Sequence, residues 1–424
     1  MNPLFNHATR LSVRHKESGE NSRFNFSGGS FSEYAAQTRA KIAHARANAG
    51  WCADPRLVDW NAPFECSPEA PGFCNDSGEW QAERDYREFR NADGRAENGV
   101  LLIHGLTDSP FLVRDLARYF VQRRGFLARA VLLPGHGTVP GDLLQVRWRE
   151  WAKAVRFGID SMRGEVRRLY LAGFSAGAAL AVLAALEEPR VDGLLLFSPA
   201  LRVSPMAALA GLHKIYSWAL PEARWLALHE DRDPVKYESF ANNAVVEVLR
   251  LTVEVRRKLS GASLTAPVFV AQSEGDATTS TREALRFFRN HNDPHSRMLL
   301  FVRSAGSGGY VDRIRRISAT APALRDPGGR IMSFAHICLP VHPLNPHYGR
   351  QGDYRDCLHY EGSSGRFADM LRICCSDDLF AAEPNAAYGE MDQLSERVVL
   401  RRLTYNPHFD RMTEAIDGFL AGLA

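Results

Sequence analysis

Apolar residues fall into short continuous runs separated by amphipathic stretches, and this alternation is clearest between residues 99 and 198. The run Gly-Val-Leu-Leu-Ile-His-Gly at 99–105 predicts a strand, and further strands are predicted over 127–134, 168–174 and 192–198. Helices are predicted between them over 110–124, 143–163 and 176–187. Strands apolar on both faces that alternate with helices imply a mostly parallel sheet covered on both sides. The expected fold class is therefore α/β, with ligands bound at the C-terminal strand ends.

The alternation breaks after residue 200. Residues 201–220 and 242–259 read as helices lying between two core strands. The core pattern resumes with a strand at 266–272, a helix at 281–290 and a strand at 297–303, and 412–424 forms a closing amphipathic helix. Residues 306–400 are rich in Gly, Pro and His without a period, so an irregular insertion is expected there. Residues 1–85 are polar with scattered Trp and Phe and read as an N-terminal extension. The expected division is an extension (1–85), a first core part (86–200), an inserted segment (201–263) and a second core part (264–424).

One pentapeptide changes the picture from fold to chemistry. Gly173-Phe174-Ser175-Ala176-Gly177 follows a predicted strand and opens the small-residue helix. That is the strand–turn–helix setting of a G-x-S-x-G elbow, which holds a serine hydroxyl out of the sheet. Ser175 also stands at a helix N-terminus, where free N–H groups and the dipole favour a developing anion. Upstream, His104-Gly105-Leu106 ends the first core strand. The expected oxyanion donors are the backbone N–H groups of Leu106 and Ala176. His104 itself is expected to orient the loop rather than to act as a base.

These stretches resemble the α/β-hydrolase superfamily, in its monoacylglycerol lipase, lysophospholipase and carboxylesterase-like branch (serine aminopeptidase-type hydrolases). The resemblance rests on VLLIHGLTDSPFLVRDLARYF, LLPGHGTVPGDL, LYLAGFSAGAALAV and GLLLFSPAL, and is close from about 99 to 200. It implies an α/β-hydrolase fold, a helical lid over 201–263, a serine nucleophile and no cofactor. The implied substrates are lipid-like or short carboxylic esters. An amide or peptide substrate, acyl transfer to another acceptor, or a non-catalytic binding protein on the same fold are the alternatives.

In this fold the triad runs Ser, Asp/Glu, His along the chain. The resemblance puts the acid just after the strand 266–272, at Asp276, with Glu274 as competitor. The family usually carries its base soon after the next strand, but Ser304-Ala305-Gly306-Ser307 holds no histidine. His336 is favoured because it follows the apolar run 330–335, as a loop residue after a strand would. His408, just ahead of the C-terminal helix, is the alternative.

Composition adds bounds. At 424 residues and 45% hydrophobic content the chain can bury a large core. A net charge of +3 is too mild to argue for a nucleic-acid partner. The seven cysteines form no C-x-x-C pair, so no metal site is expected. The first 20 residues lack the apolar stretch of a secretory signal, so a cytoplasmic location with reduced thiols is expected. The longest apolar run, 176–186, is too short to span a bilayer, which leaves peripheral membrane contact. The oligomeric state is not legible in these features.

Overall fold

The computed structural model describes residues 6–7, 9–20, 29–52, 54–70, 89–202, 221–303, 309–319, 325–326 and 329–423. The chain divides into two compact units, Met1–Leu194 with Ala200–Ala266, and Leu195–Pro199 with Pro267–Ala424.

Strands of the first unit are β1 (Asn6–His7), β2 (Phe64–Cys66), β3 (Ala96–Ile103), β4 (Leu127–Val131), β5 (Val166–Phe174), β6 (Val191–Phe197), β7 (Trp225–Leu228) and β8 (Phe240–Ala241). The last three residues of β6 fall in the second unit. Helices of the first unit are α1 (Phe31–Asn48), α2 (Pro55–Asn61), α3 (Arg114–Arg124), α4 (Trp148–Met162), α5 (Ala176–Glu187) and α6 (Asn242–Gly261). β3 pairs in parallel with β4 on one side and β5 on the other, and β2 joins β4 antiparallel. Val100, Leu101, Leu102 and Ile103 are all fully buried, which is why this strand reads as an unbroken apolar run. α4 buries Trp148, Trp151, Val155, Ile159 and Met162, a three-and-four spacing that forms a single helical face.

Boundaries differ from expectation where prolines and glycines set them. The helix expected over 110–124 is a 3₁₀ turn over Pro110–Val113 and then α3, which stops at Gly125 with a left-handed φ of 68°. The helix expected over 143–163 is likewise split into a 3₁₀ turn at Pro140–Leu144 and α4. The strand expected over 127–134 ends at Val131, because Pro134-Gly135-His136-Gly137 turns the chain with φ 86° and 75° at its glycines. In the inserted segment, α6 covers the second expected helix, whereas 203–220, most of the first, lie outside the described residues.

The second unit holds β9 (Val268–Ser273), β10 (Arg297–Val302) and β11 (Ile314–Ser318), paired in parallel through β10. Its helices are α7 (Thr281–Asn290), α8 (Arg366–Cys375), α9 (Asp377–Ala382) and α10 (Phe409–Ala421). A further sheet runs β12 (Arg325–Asp326), β13 (Gly329–Ile331), β14 (Ala386–Gly389), β15 (Val399–Arg402), antiparallel at its first pairing and parallel at the other two. The stretch without a sequence period is therefore structured: strands of two to five residues are too short to show one.

Cys357 and Cys374 are disulfide-bonded with their Cα atoms 6.1 Å apart, and Cys66 is also in a disulfide. This departs from the expected reduced thiols. None of the described helices is long and apolar enough to cross a membrane.

Candidate active site

Ser175 occupies the turn between β5 and α5 with φ 54° and ψ −116°, a conformation that L-residues rarely adopt. The surrounding glycines make the turn sterically feasible. A Cβ on Gly173 would stand 2.6 Å from the Ala178 nitrogen, and one on Gly177 would collide with the carbonyls of Ile103 and His104. The N-terminus of α5 therefore packs directly against the end of β3. The Ser175 carbonyl accepts N–H bonds from Ala178 at 3.1 Å and Ala200 at 3.1 Å, so the turn is held from both sides.

The loop after β3 carries Leu106, and Thr107 beside it has φ 68°. The Thr107 carbonyl accepts the Tyr237 N–H at 2.8 Å, which fixes the loop in this unusual backbone state. His104 is fully buried and uses both ring nitrogens on backbone: Nδ1 donates to the Gly105 carbonyl at 2.8 Å and Nε2 accepts from Leu133 N at 3.0 Å. Burial and the neighbouring His136 push its pKa well below the ordinary histidine value. His104 is thus a neutral brace between two strand ends. Of the expected oxyanion donors, Leu106 stands on the loop that these contacts organise and Ala176 is the first residue of α5.

In the second unit the loop after β9 carries Asp276. Its Oδ1 accepts the N–H groups of Thr278 and Thr279, each at 2.8 Å, and its Oδ2 accepts the Thr279 hydroxyl at 2.7 Å. Gln272 Nε2 donates to the same Oδ2 at 3.2 Å. His336 Nδ1 lies 2.8 Å from Oδ2. Burial alone would raise the Asp276 pKa, but the His336 ring and the threonine donors outweigh it and hold the carboxyl at about 2. The carboxylate is therefore ionised, and it accepts the Nδ1 proton of His336. That donation fixes the tautomer in which Nε2 carries the lone pair, which is the form a proton acceptor needs.

His336 opens a short 3₁₀ turn, His336–Cys338, five residues beyond the end of β13. Two contacts hold its loop to the acid's loop and to the end of β6. Ser273 Oγ donates to the Phe334 carbonyl at 2.7 Å, and Ser198 Oγ donates to the His336 carbonyl at 3.3 Å. A third is made by Glu390, whose Oε2 accepts the His336 backbone N–H at 2.8 Å.

The competing candidates sit elsewhere. The Glu274 carboxylate accepts Arg303 N at 3.1 Å. His408 directly precedes α10, donates through Nε2 to the Ser318 carbonyl at 3.0 Å and stacks on Phe301. Asp276 and His336 are brought together; Glu274 and His408 face backbone groups of their own surroundings. Sequence reading missed Thr279, Gln272 and Glu390. The first had a visible signal, since Asp-x-x-Thr after a strand reads as a turn in which the carboxylate is capped by the N–H groups that follow. Among the described residues, no group of three or more His, Cys, Asp or Glu is arranged to hold a metal ion.

A family model described as "Serine aminopeptidase, S33" matches residues 94–302. This is an α/β hydrolase. The "Thermostable monoacylglycerol lipase" of Bacillus sp. (strain H-257) is 25% identical over 183 residues, covering 42% of this chain and 72% of that protein. The "Carboxylesterase" of Bacillus subtilis (strain 168) is 24% identical over 230 residues, covering 52% of this chain and 88% of the relative. Among solved structures, a Paleococcus ferrophilus monoacylglycerol lipase is 20% identical with a TM-score of 0.37, covering 48% of this chain and 83% of that one. Residues 94–302, just under half of the chain, are thus similar to α/β hydrolases of the monoacylglycerol lipase and carboxylesterase branch. In this hydrolase the matched region ends at the close of β10, so α8, α9, the second sheet and the disulfide-bonded Cys357 and Cys374 all lie beyond it.

Proposed function

We propose that this α/β hydrolase cleaves carboxylic monoesters through an acyl-Ser175 intermediate, with His336 as base, Asp276 as acid, and the Leu106 and Ala176 N–H groups as oxyanion donors. The contact between His336 Nδ1 and Asp276 Oδ2 at 2.8 Å carries this reading, because it prepares the imidazole to accept a proton at Nε2. Ser175 Oγ attacks the ester carbonyl while its proton passes to His336 Nε2, and the carbonyl oxygen becomes an oxyanion held by the two amides. Collapse breaks the C–O bond to the alcohol, which leaves with the proton from Nε2. Water then gives its proton to Nε2 and attacks the acyl carbon. The carboxylic acid departs as Ser175 recovers its hydrogen.

Monoacylglycerols, lysophospholipids and short-chain esters are the proposed substrates. The names of the two Bacillus relatives support this class. Peripheral contact with a lipid surface is compatible with such substrates. The cytoplasmic expectation rested on the lack of a secretory signal; the Cys357–Cys374 disulfide departs from the reduced thiols expected to accompany it.

The family description "Serine aminopeptidase" favours one second reading, in which the same residues cleave the amide of a free N-terminal amino acid. Paired substrates separate the two: monoacylglycerols and p-nitrophenyl esters against aminoacyl p-nitroanilides, each with wild type and Ser175→Ala. Ester turnover that Ser175→Ala abolishes, with anilide turnover near background, supports the esterase. The reverse pattern contradicts it.

A further inference from the structure

The strand pair β14–β15 has no part in the proposed reaction, yet it supplies a second fully buried carboxylate beside the candidate base. Glu390 directly follows β14 and has no solvent exposure. Its Oε2 accepts the His336 N–H at 2.8 Å and Arg402 Nη2 at 3.2 Å. Its Oε1 accepts Arg402 Nε at 2.8 Å and Met391 N at 2.8 Å. Arg402, the last residue of β15, thus grips both oxygens of the carboxylate. Its Nη2 also lies 3.5 Å from Thr278 Oγ1, on the turn whose N–H groups cap Asp276. Asp356 Oδ2 stands 3.6 Å from Arg402 Nη1 and fixes the far side of the guanidinium. One guanidinium therefore reaches the base through Glu390 and the acid's turn through Thr278.

A buried ion pair is an expensive way to gain stability, since apolar replacement is often neutral or better. What the charges add is geometry: a carboxylate gripped at both oxygens cannot swing, and neither can an amide bonded to it. Burial works against both charges, but each outweighs it for the other, so the Glu390 pKa lies below and the Arg402 pKa above the ordinary value.

We propose that Glu390, locked by Arg402, is a positioning residue for the reaction: it fixes the His336 backbone so that the imidazole keeps its bond to Asp276 and its Nε2 stays aimed at its proton donor. The small sheet β12–β15 is then the platform of the base, and it lies beyond the stretch that the family model matches. The inference rests on the reading of His336 as base.

The test uses the full chain and p-nitrophenyl acetate, with His336→Ala as reference. Glu390→Leu/Arg402→Leu, made in an Asp356→Asn background and read against Asp356→Asn alone, removes both charges together without leaving the Asp356 carboxylate buried and unpaired. Its kcat is expected to fall roughly 10–100-fold, as small misplacements of catalytic groups do. KM is expected to stay within about twofold, since ground-state binding is not touched. The downfield proton resonance of the His336–Asp276 bond should weaken in parallel, which a loss of general stability would not cause in a folded variant. Arg402→Lys keeps the charge but not the fork and is expected to lose about threefold or more in kcat. A kcat equal to that of Asp356→Asn in the folded combined variant, beside an inactive His336→Ala, overturns the positioning role and leaves the base assignment standing. An active His336→Ala overturns the base assignment, and the positioning role with it. Should the combined variant not fold, Arg402→Lys decides alone, and wild-type kcat there overturns the proposal.

Discussion

His336 Nδ1 and Asp276 Oδ2 stand 2.8 Å apart on two loops that follow different strands, β13 and β9. Asp276 has four further donors on its two oxygens, from Thr278, Thr279 (two) and Gln272, so its place does not depend on the histidine. The carboxylate is thus held independently of the imidazole that it faces. Asp276→Asn should accordingly keep the fold but present the wrong hydrogen-bond partner to Nδ1. A fall in kcat of about 10⁴ on p-nitrophenyl esters is expected, against about 10⁶ for Ser175→Ala or His336→Ala. Asp276→Asn with near wild-type kcat would argue that the pair is structural.

His408 gives the matching control. Its Nε2 is committed to the Ser318 carbonyl and its ring stacks against Phe301 and Phe334. His408→Ala is expected to lower the melting temperature through lost ring packing and the lost bond to the Ser318 carbonyl, while kcat stays within about threefold of wild type. An inactive but folded His408→Ala beside an active His336→Ala would reverse the base assignment.

Two fully buried histidines predict how stability responds to pH. Burial holds His136 at about 4, and the His104 pKa also lies well below its ordinary value. Both are neutral when folded at pH values where the unfolded chain binds protons. Their contribution is therefore complete above about pH 6.5 and is lost as the pH falls toward 4, by roughly 3 kcal/mol for His136. Urea unfolding of wild type and His136→Phe between pH 4 and 7 checks this. The difference between the two proteins should shrink on the acidic side; a pH-independent difference would contradict it.

How much of this was legible along the chain varies by region. β3, β5 and the Ser175 turn stood out because a fully buried parallel strand leaves an unbroken apolar run and the elbow leaves a glycine pattern on either side of it. Asp276 was reached only through the resemblance, which puts an acid in the turn after the strand that forms β9. The candidate base was harder because β13 is a three-residue strand, Gly-Arg-Ile, that no periodicity marks. Glu390 was invisible: its bond to His336 spans 54 residues, and nothing local distinguishes that glutamate from a surface one. The disulfide was missed because cysteine spacing alone does not choose partners.

The disulfide closes a loop of 17 residues between Cys357 and Cys374 in the second unit. A loop of that size contributes about 3 kcal/mol by restricting the unfolded chain. Cys357→Ser/Cys374→Ser, or wild type under reductant, should unfold at lower urea with kcat at 25 °C little changed. Unfolding midpoints that agree with and without reductant would show that the bond is absent in solution or contributes nothing.

The central claim is that Ser175 is the nucleophile and His336 its base. Fluorophosphonate labelling followed by peptide mapping tests it most directly, because the reagent reacts only with a serine whose proton is taken. The expected result is a single adduct on the peptide containing Ser175 in wild type, none in Ser175→Ala, and labelling slowed by orders of magnitude in His336→Ala but not in His408→Ala. An adduct on another residue, or labelling of His336→Ala at the wild-type rate, would contradict the account.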